Sequence, residues 1–433
     1  MKALKRSIAD DWNWKETLQL IGMVLFVVTL PFHRLSNEIA TAFLLVSCVP
    51  GCSIELLRRR WKTILIFSSI YLLALVSSLY APSTKLALHD LGIESTLLLM
   101  PVMMGLSYEP TQLKNDIVKI FYIAAVSVAL LYLGWQFIDR VKGEQINSAT
   151  LLSEDQLNHQ YSYPVGIHAT FFSAYVSLSL YFLLSYLLRY RSMLLRMLII
   201  LLMCLSIFSL LMLSSRTILL ITFSSILVLL LIQLGKGRWT IAFFVSAIIV
   251  LPLVFFWKES IYFKKRFESD LQKDIKWREV QALLRNPVDM GRDSILKNDG
   301  SRIERWIAAM QVIKENPVIG HGTGQEKPAL FKKYKQLGLS VTLEKGYDSH
   351  NQFLAYTIRS GIPGLIVFLG MIIYGLVIAI RSRNYEYLLF LVLIICVSLT
   401  ENFLSSNKGI EFFAFFNSFL FLGQRGNGVR RML

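Results

Sequence analysis

A chain of 433 residues that is 54% hydrophobic and only 17% charged, with a mean hydropathy of +0.52, excludes an ordinary soluble domain and points to a polytopic membrane protein. Its formal net charge of +16 would suggest nucleic acid in a soluble protein, but in a membrane chain the charge must first be sorted by side, and no nucleic-acid partner is expected. The four cysteines (Cys48, Cys52, Cys204, Cys396) lie in apolar blocks with no C-x-x-C pair, which fits packed thiols rather than a redox or metal centre.

The first thirty residues have the basic start of a signal sequence. Asp10, Asp11 and Glu16 precede the apolar core, and no small-residue cleavage site follows, so an uncleaved first span is expected. The apolar blocks predict an all-α protein with twelve spans, near 17–33, 38–57, 63–80, 91–108, 115–138, 166–188, 194–213, 215–235, 239–257, 361–380, 386–402 and 410–423. Lys and Arg concentrate in alternate short connections: "RRRWK" at 58–62, "RYRSMLLR" at 189–196, "GKGR" at 235–238 and "RSR" at 381–383. These mark the cytoplasmic side, with both termini. The chain then divides into a nine-span half (1–257), a long extracytoplasmic loop (258–349) and a three-span part (350–433).

The tight turn before the eighth span contains "SSRT", where Ser214 and Ser215 can cap the helix and set Arg216 in its first turn. Within the long loop, "WKESIYFKKRFESDLQKDIKWREVQALL" suits a helix lying on the membrane surface, with Arg266 in a basic cluster. Next, "SRIERWIAAMQVIKENP" has an S-x-x-E capping box at Ser301 and Glu304. Ile303, Trp306, Ile307, Met310 and Ile313 share an apolar arc that leaves out Val312; Arg302 borders that arc, whereas Arg305 is expected to face water.

In "GYDSHNQFLAYTI", Asp348 or Ser349 is the expected N-cap, and His350 opens the helix, where the dipole disfavours its protonated form. Asn351 is expected to cap or orient rather than react. The other five histidines lack metal-ligand spacing. Helix starts carry unpaired N–H groups, and three of them with Arg or His on one side of a membrane suit an anion. No D-x-D or paired-carboxylate signature on that side suits Mg²⁺, so the residues suggest a metal-free, cofactor-free site for a phosphorylated, membrane-embedded substrate. Arg359, Glu401 and Asn402 are the polar exceptions near the last spans, and a position close to the outer interface would account for them.

The motifs in this order resemble the bacterial O-antigen ligase and polymerase superfamily: Ser215-Arg216 at a span start, "RIERW" at 302–306, "PVIGHG" at 317–322, "HNQFL" at 350–354 and "GIPG" at 361–364. The resemblance implies metal-independent, inverting glycosyl transfer from undecaprenyl diphosphate at the outer face of the bacterial inner membrane. It implies that Arg216 and Arg302 bind the diphosphate and that His350 orients or deprotonates the acceptor hydroxyl. Arg266 and Asn351 join as substrate-binding residues. The acceptor would be lipid A-core oligosaccharide for a ligase, the reading favoured by the single large loop, or a lipid-linked repeat unit for a polymerase. A lipid-linked oligosaccharide flippase would also fit twelve spans, but it should place ionisable groups near the bilayer midplane.

Overall fold

The computed structural model describes residues 13–143, 151–153, 155–234, 239–260, 262 and 300–423. Every regular element among them is helical. The first nine helices are α1 (Trp14–Thr29), α2 (Arg34–Cys48), α3 (Ile54–Ser78), α4 (Thr84–Glu94), α5 (Thr96–Ser107), α6 (Gln112–Gly143), the single turn α7 (His159–Ser162), α8 (Ala169–Arg189) and α9 (Met193–Leu213). Then come α10 (Arg216–Leu234), α11 (Trp239–Glu259), α12 (Arg302–Glu315), α13 (Glu326–Leu337), α14 (Ser340–Glu344), α15 (Gln352–Arg381), α16 (Tyr385–Ser398) and α17 (Asn407–Leu422).

Six stretches among the described residues are long and apolar enough to cross a membrane: α3, α4 with α5, α6, α8, α9 and α15. Helices α1 and α17 have 16 residues each. At 1.5 Å per residue that is about 24 Å, short of a ~30 Å hydrocarbon layer. Helix α8 is buried on nearly all sides, Ser173, Ser177 and Ser179 included. Beside it, α17 packs through a phenylalanine ladder, with Phe415 and Phe419 stacked at 5.6 Å. Leu201, Leu220, Ile366 and Ile373 are exposed on the outer helix faces, the pattern of side chains that meet lipid rather than protein.

The connections sort to two ends of the bundle. At one end Lys114 pairs with Glu16 at 2.7 Å, Arg189 with Asp116 at 2.9 Å, and Arg60 donates to the Tyr108 carbonyl at 2.8 Å. At the other, Tyr80 donates to the Ile319 carbonyl, Lys408 to the Leu30 carbonyl, Ser260 to the Leu152 carbonyl, and Phe171 packs on Phe403. The connections expected on one side of a membrane therefore meet one another.

Two breaks differ from the predicted spans. The block at 91–108 is preceded by a helix that bends at Ser95, joining α4 to α5. The span expected to start at 361 is the second half of α15, which begins at Gln352 and kinks at Ser360 and Gly361. Gly361 has φ +65°, and the Val318 carbonyl oxygen would lie 2.1 Å from a Cβ there, so only glycine fits.

Candidate active site

The segment 317–324 lies across the α15 kink, hydrogen-bonded to the carbonyls that the kink leaves open. The His321 and Gly322 amides donate to the Ile358 and Arg359 carbonyls, each at 2.8 Å, and Ile362 donates back to the Pro317 carbonyl at 2.8 Å. Thr323 donates to the Ala74 carbonyl at 2.6 Å, tying the same segment to α3. Ala308, Ala309 and Val312 of α12 then pack with Leu330, Tyr334, Leu339 and Ile358, seating α12 and α13 on the first half of α15.

This seating brings the start of α12 to the entrance of α15. Ser301 caps α12 by accepting from the Glu304 amide at 3.5 Å. Arg302 Nη2 reaches Glu401 Oε1 at 3.3 Å, and the other oxygen of the same carboxylate lies 3.8 Å from His350 Nε2. One carboxylate thus stands between the Arg302 guanidinium and the His350 imidazole. The opposite ring nitrogen, Nδ1, is hydrogen-bonded to Asp348. A carboxylate at Nδ1 fixes the ring orientation and leaves Nε2 as the nitrogen facing the cluster.

His350 lies one residue outside α15 rather than opening it, in a left-handed conformation with φ +45°. Asn351 is the N-cap, its side chain accepting from the Phe353 and Leu354 amides; Asp348 and Ser349 have other partners. The dipole of α15 is therefore not the dominant neighbour of the imidazole, which sits between two carboxylates. Burial by itself would raise the Asp348 carboxyl; the hydrogen bond and charge of His350 outweigh it and hold the group below its usual range.

Arg305 faces the cluster, not water. It is buried, its guanidinium stacks 4.7 Å over the Tyr347 ring, and burial followed by the charge of Arg302 lowers its pKa. The packed face of α12 is Glu304, Arg305, Ile307, Ala308, Ala309 and Val312, whereas Met310 is exposed. Apolar periodicity places Ile307 and Ile313 correctly but misplaces Met310, Val312 and Arg305, because alanines make the helix contact and two charged residues have polar partners there.

Residues 201–369 match the O-antigen ligase family. The matched stretch includes Arg216, Arg302 and His350 and agrees with the resemblance carried by the motifs. A second similarity, 28% identity over 85 residues, is to an uncharacterized protein of Haemophilus influenzae. It spans 20% of this chain and 21%, about a fifth, of that relative.

Arg216 starts α10 at the same end of the bundle. Ser214, in a left-handed conformation (φ +49°), closes α9 with its hydroxyl donating to the Leu211 carbonyl, while the Ser215 carbonyl accepts from Leu219. Helix α10 packs on α16, which leads to Glu401. Arg266 lies outside the described residues. Arg359 is not a site residue: with Glu94 it forms a bidentate ion pair between α4 and α15, the two side chains 5% and 3% exposed. Sequence reading noticed Glu401 only as an exception. A carboxylate ending the apolar run "LLFLVLIICVSLTE" was the signal for it.

Proposed function

We propose that this chain is a twelve-span enzyme of the bacterial inner membrane that transfers a glycan from undecaprenyl diphosphate to lipid A-core oligosaccharide at the periplasmic face. Residues 1–257 and 350–433 form its membrane parts, and 258–349 its periplasmic loop. The observation that carries the reading is that Arg302 and His350, both within the family-matched segment, share the carboxylate of Glu401 beyond it.

The chemistry follows from the charges. The bond between the anomeric carbon and the donor diphosphate breaks, and the acceptor hydroxyl oxygen bonds to that carbon from the opposite face. Its proton passes to His350 Nε2, and Asp348 at Nδ1 stabilises the imidazolium that forms. Arg302 and Arg216 take the charge of the departing diphosphate, a good leaving group that needs neutralisation more than protonation. Arg266 adds a substrate contact, Asn351 caps α15 next to His350, and no metal or cofactor is required.

The test is reconstitution of purified protein with undecaprenyl-diphosphate-linked glycan and either acceptor. Transfer to lipid A-core that is lost in His350→Ala supports the ligase reading. Transfer only to a lipid-linked repeat makes the chain a polymerase, and donor translocation without any joining makes it a flippase.

A further inference from the structure

Three consecutive backbone amides leading into α15 each have a side-chain acceptor supplied from around the turn. Ser349 N donates to Glu326 Oε1 at 3.3 Å, His350 N to Asp348 Oδ1 at 2.9 Å, and Asn351 N to Asn402 Oδ1 at 2.7 Å. Glu326 Oε1 also accepts from the Ser349 hydroxyl at 2.7 Å and from Asn402 Nδ2 at 2.8 Å. One oxygen of α13 therefore holds both the residue before His350 and the side chain that holds the residue after it. Between them His350 occupies a left-handed conformation, which a side chain with a Cβ adopts at a cost and keeps only where its surroundings impose it.

We infer that Glu326, acting through Ser349 and Asn402, is a positioning residue that imposes the left-handed turn at His350 and so aims Nε2 toward Glu401. The inference rests on the reading of His350 given under Proposed function. Glu326 itself touches neither Arg302 nor the imidazole among the contacts described, so its influence runs through the backbone at 349–351. The role needs an acceptor oxygen and not a charge. Glutamine provides that oxygen and also removes a negative charge beside Asp348.

The test is steady-state transfer by Glu326→Ala, Glu326→Gln and His350→Ala, together with the Glu326→Ala/His350→Ala pair. The expected result for Glu326→Ala is a kcat about ten- to a hundredfold lower with little change in KM, since a displacement near 1 Å costs that much. Glu326→Gln recovers kcat to within a few-fold, and adding Glu326→Ala to His350→Ala costs nothing further. If Glu326→Ala does not fold, Ser349→Ala, which removes the hydroxyl bond from the other side, carries the test with the same kcat-only signature. A folded Glu326→Ala (or Ser349→Ala) enzyme with unaltered kcat, beside an inactive His350→Ala, overturns this inference alone. A fully active His350→Ala overturns the proposed function beneath it.

Discussion

Two arginines near α15 carry ion pairs, and their exposure tells them apart. The Arg302–Glu401 pair is 3.3 Å long, with side chains 24% and 15% exposed. A pair that keeps some contact with solvent is screened more than a dry one and holds its partners less tightly. The Arg359–Glu94 pair is bidentate and dry, and removing one partner from such a pair costs about 3–5 kcal/mol. The Arg302 pair is thus the more solvated of the two and the Arg359 pair the drier. Glu326 adds a pH dependence of its own. Its carboxyl is pushed from an ordinary 4.5 up to about 7 by burial and by Asp348, against the hydrogen bonds from Ser349 and Asn402; Tyr334 and Tyr356 also face it. A pKa raised in the folded state means that the unfolded chain releases this proton first, so stability falls as pH rises from about 4.5 to 7. Asp348 has the opposite sign, with its window below 3.8, outside that range. Melting curves in detergent should therefore show Glu326→Gln gaining over the unaltered protein between pH 5 and pH 7.5; an equal difference at both values would contradict the assignment. Arg302 and His350 were legible in the sequence because a capping box and an apolar boundary flank them. Arg305 and Glu326 were not, since amphipathic periodicity assigns every charge to water.

At the scale of elements, the glycine-rich segment and the kink explain each other. Gly320 has φ +73°, and the Arg359 carbonyl would lie 2.5 Å from a Cβ there, so the segment can lie on α15 only with glycine at that point. Gly361→Ala adds both a clash with Val318 and backbone strain, the strain alone costing about 1–3 kcal/mol. A lowered melting temperature is expected, against little change for Gly370→Ala on the same helix, where a Cβ meets nothing within 4 Å. Equal melting of the two variants would mean that the segment is not clamped as described. "GIPG" was readable as the start of an apolar span; its hinge role was hidden because the carbonyls it frees are bound by a segment forty residues earlier. The existence of α12, with its cap at Ser301, was legible for local reasons, while its buried face depended on α13 and α15, which no local pattern encodes.

Across the whole molecule, the alternation of basic connections agrees with which described connections meet at each end of the bundle, because short-loop charge and apolar length are both local properties. The number of crossings was less legible: helices of 16 residues and bends such as Ser95 blur the link between an apolar block and a full span. What the fold achieves as a unit is to bring Arg302 from a loop helix, His350 from the mouth of a long helix and Glu401 from the end of α16 to one point. The most direct measurement separates donor binding from transfer in the same preparations, using undecaprenyl diphosphate binding by native mass spectrometry alongside glycan joining. The account predicts that Arg302→Ala loses the lipid diphosphate, whereas His350→Ala retains it and joins no glycan. Undiminished lipid diphosphate binding by Arg302→Ala, together with normal joining by His350→Ala, would contradict it.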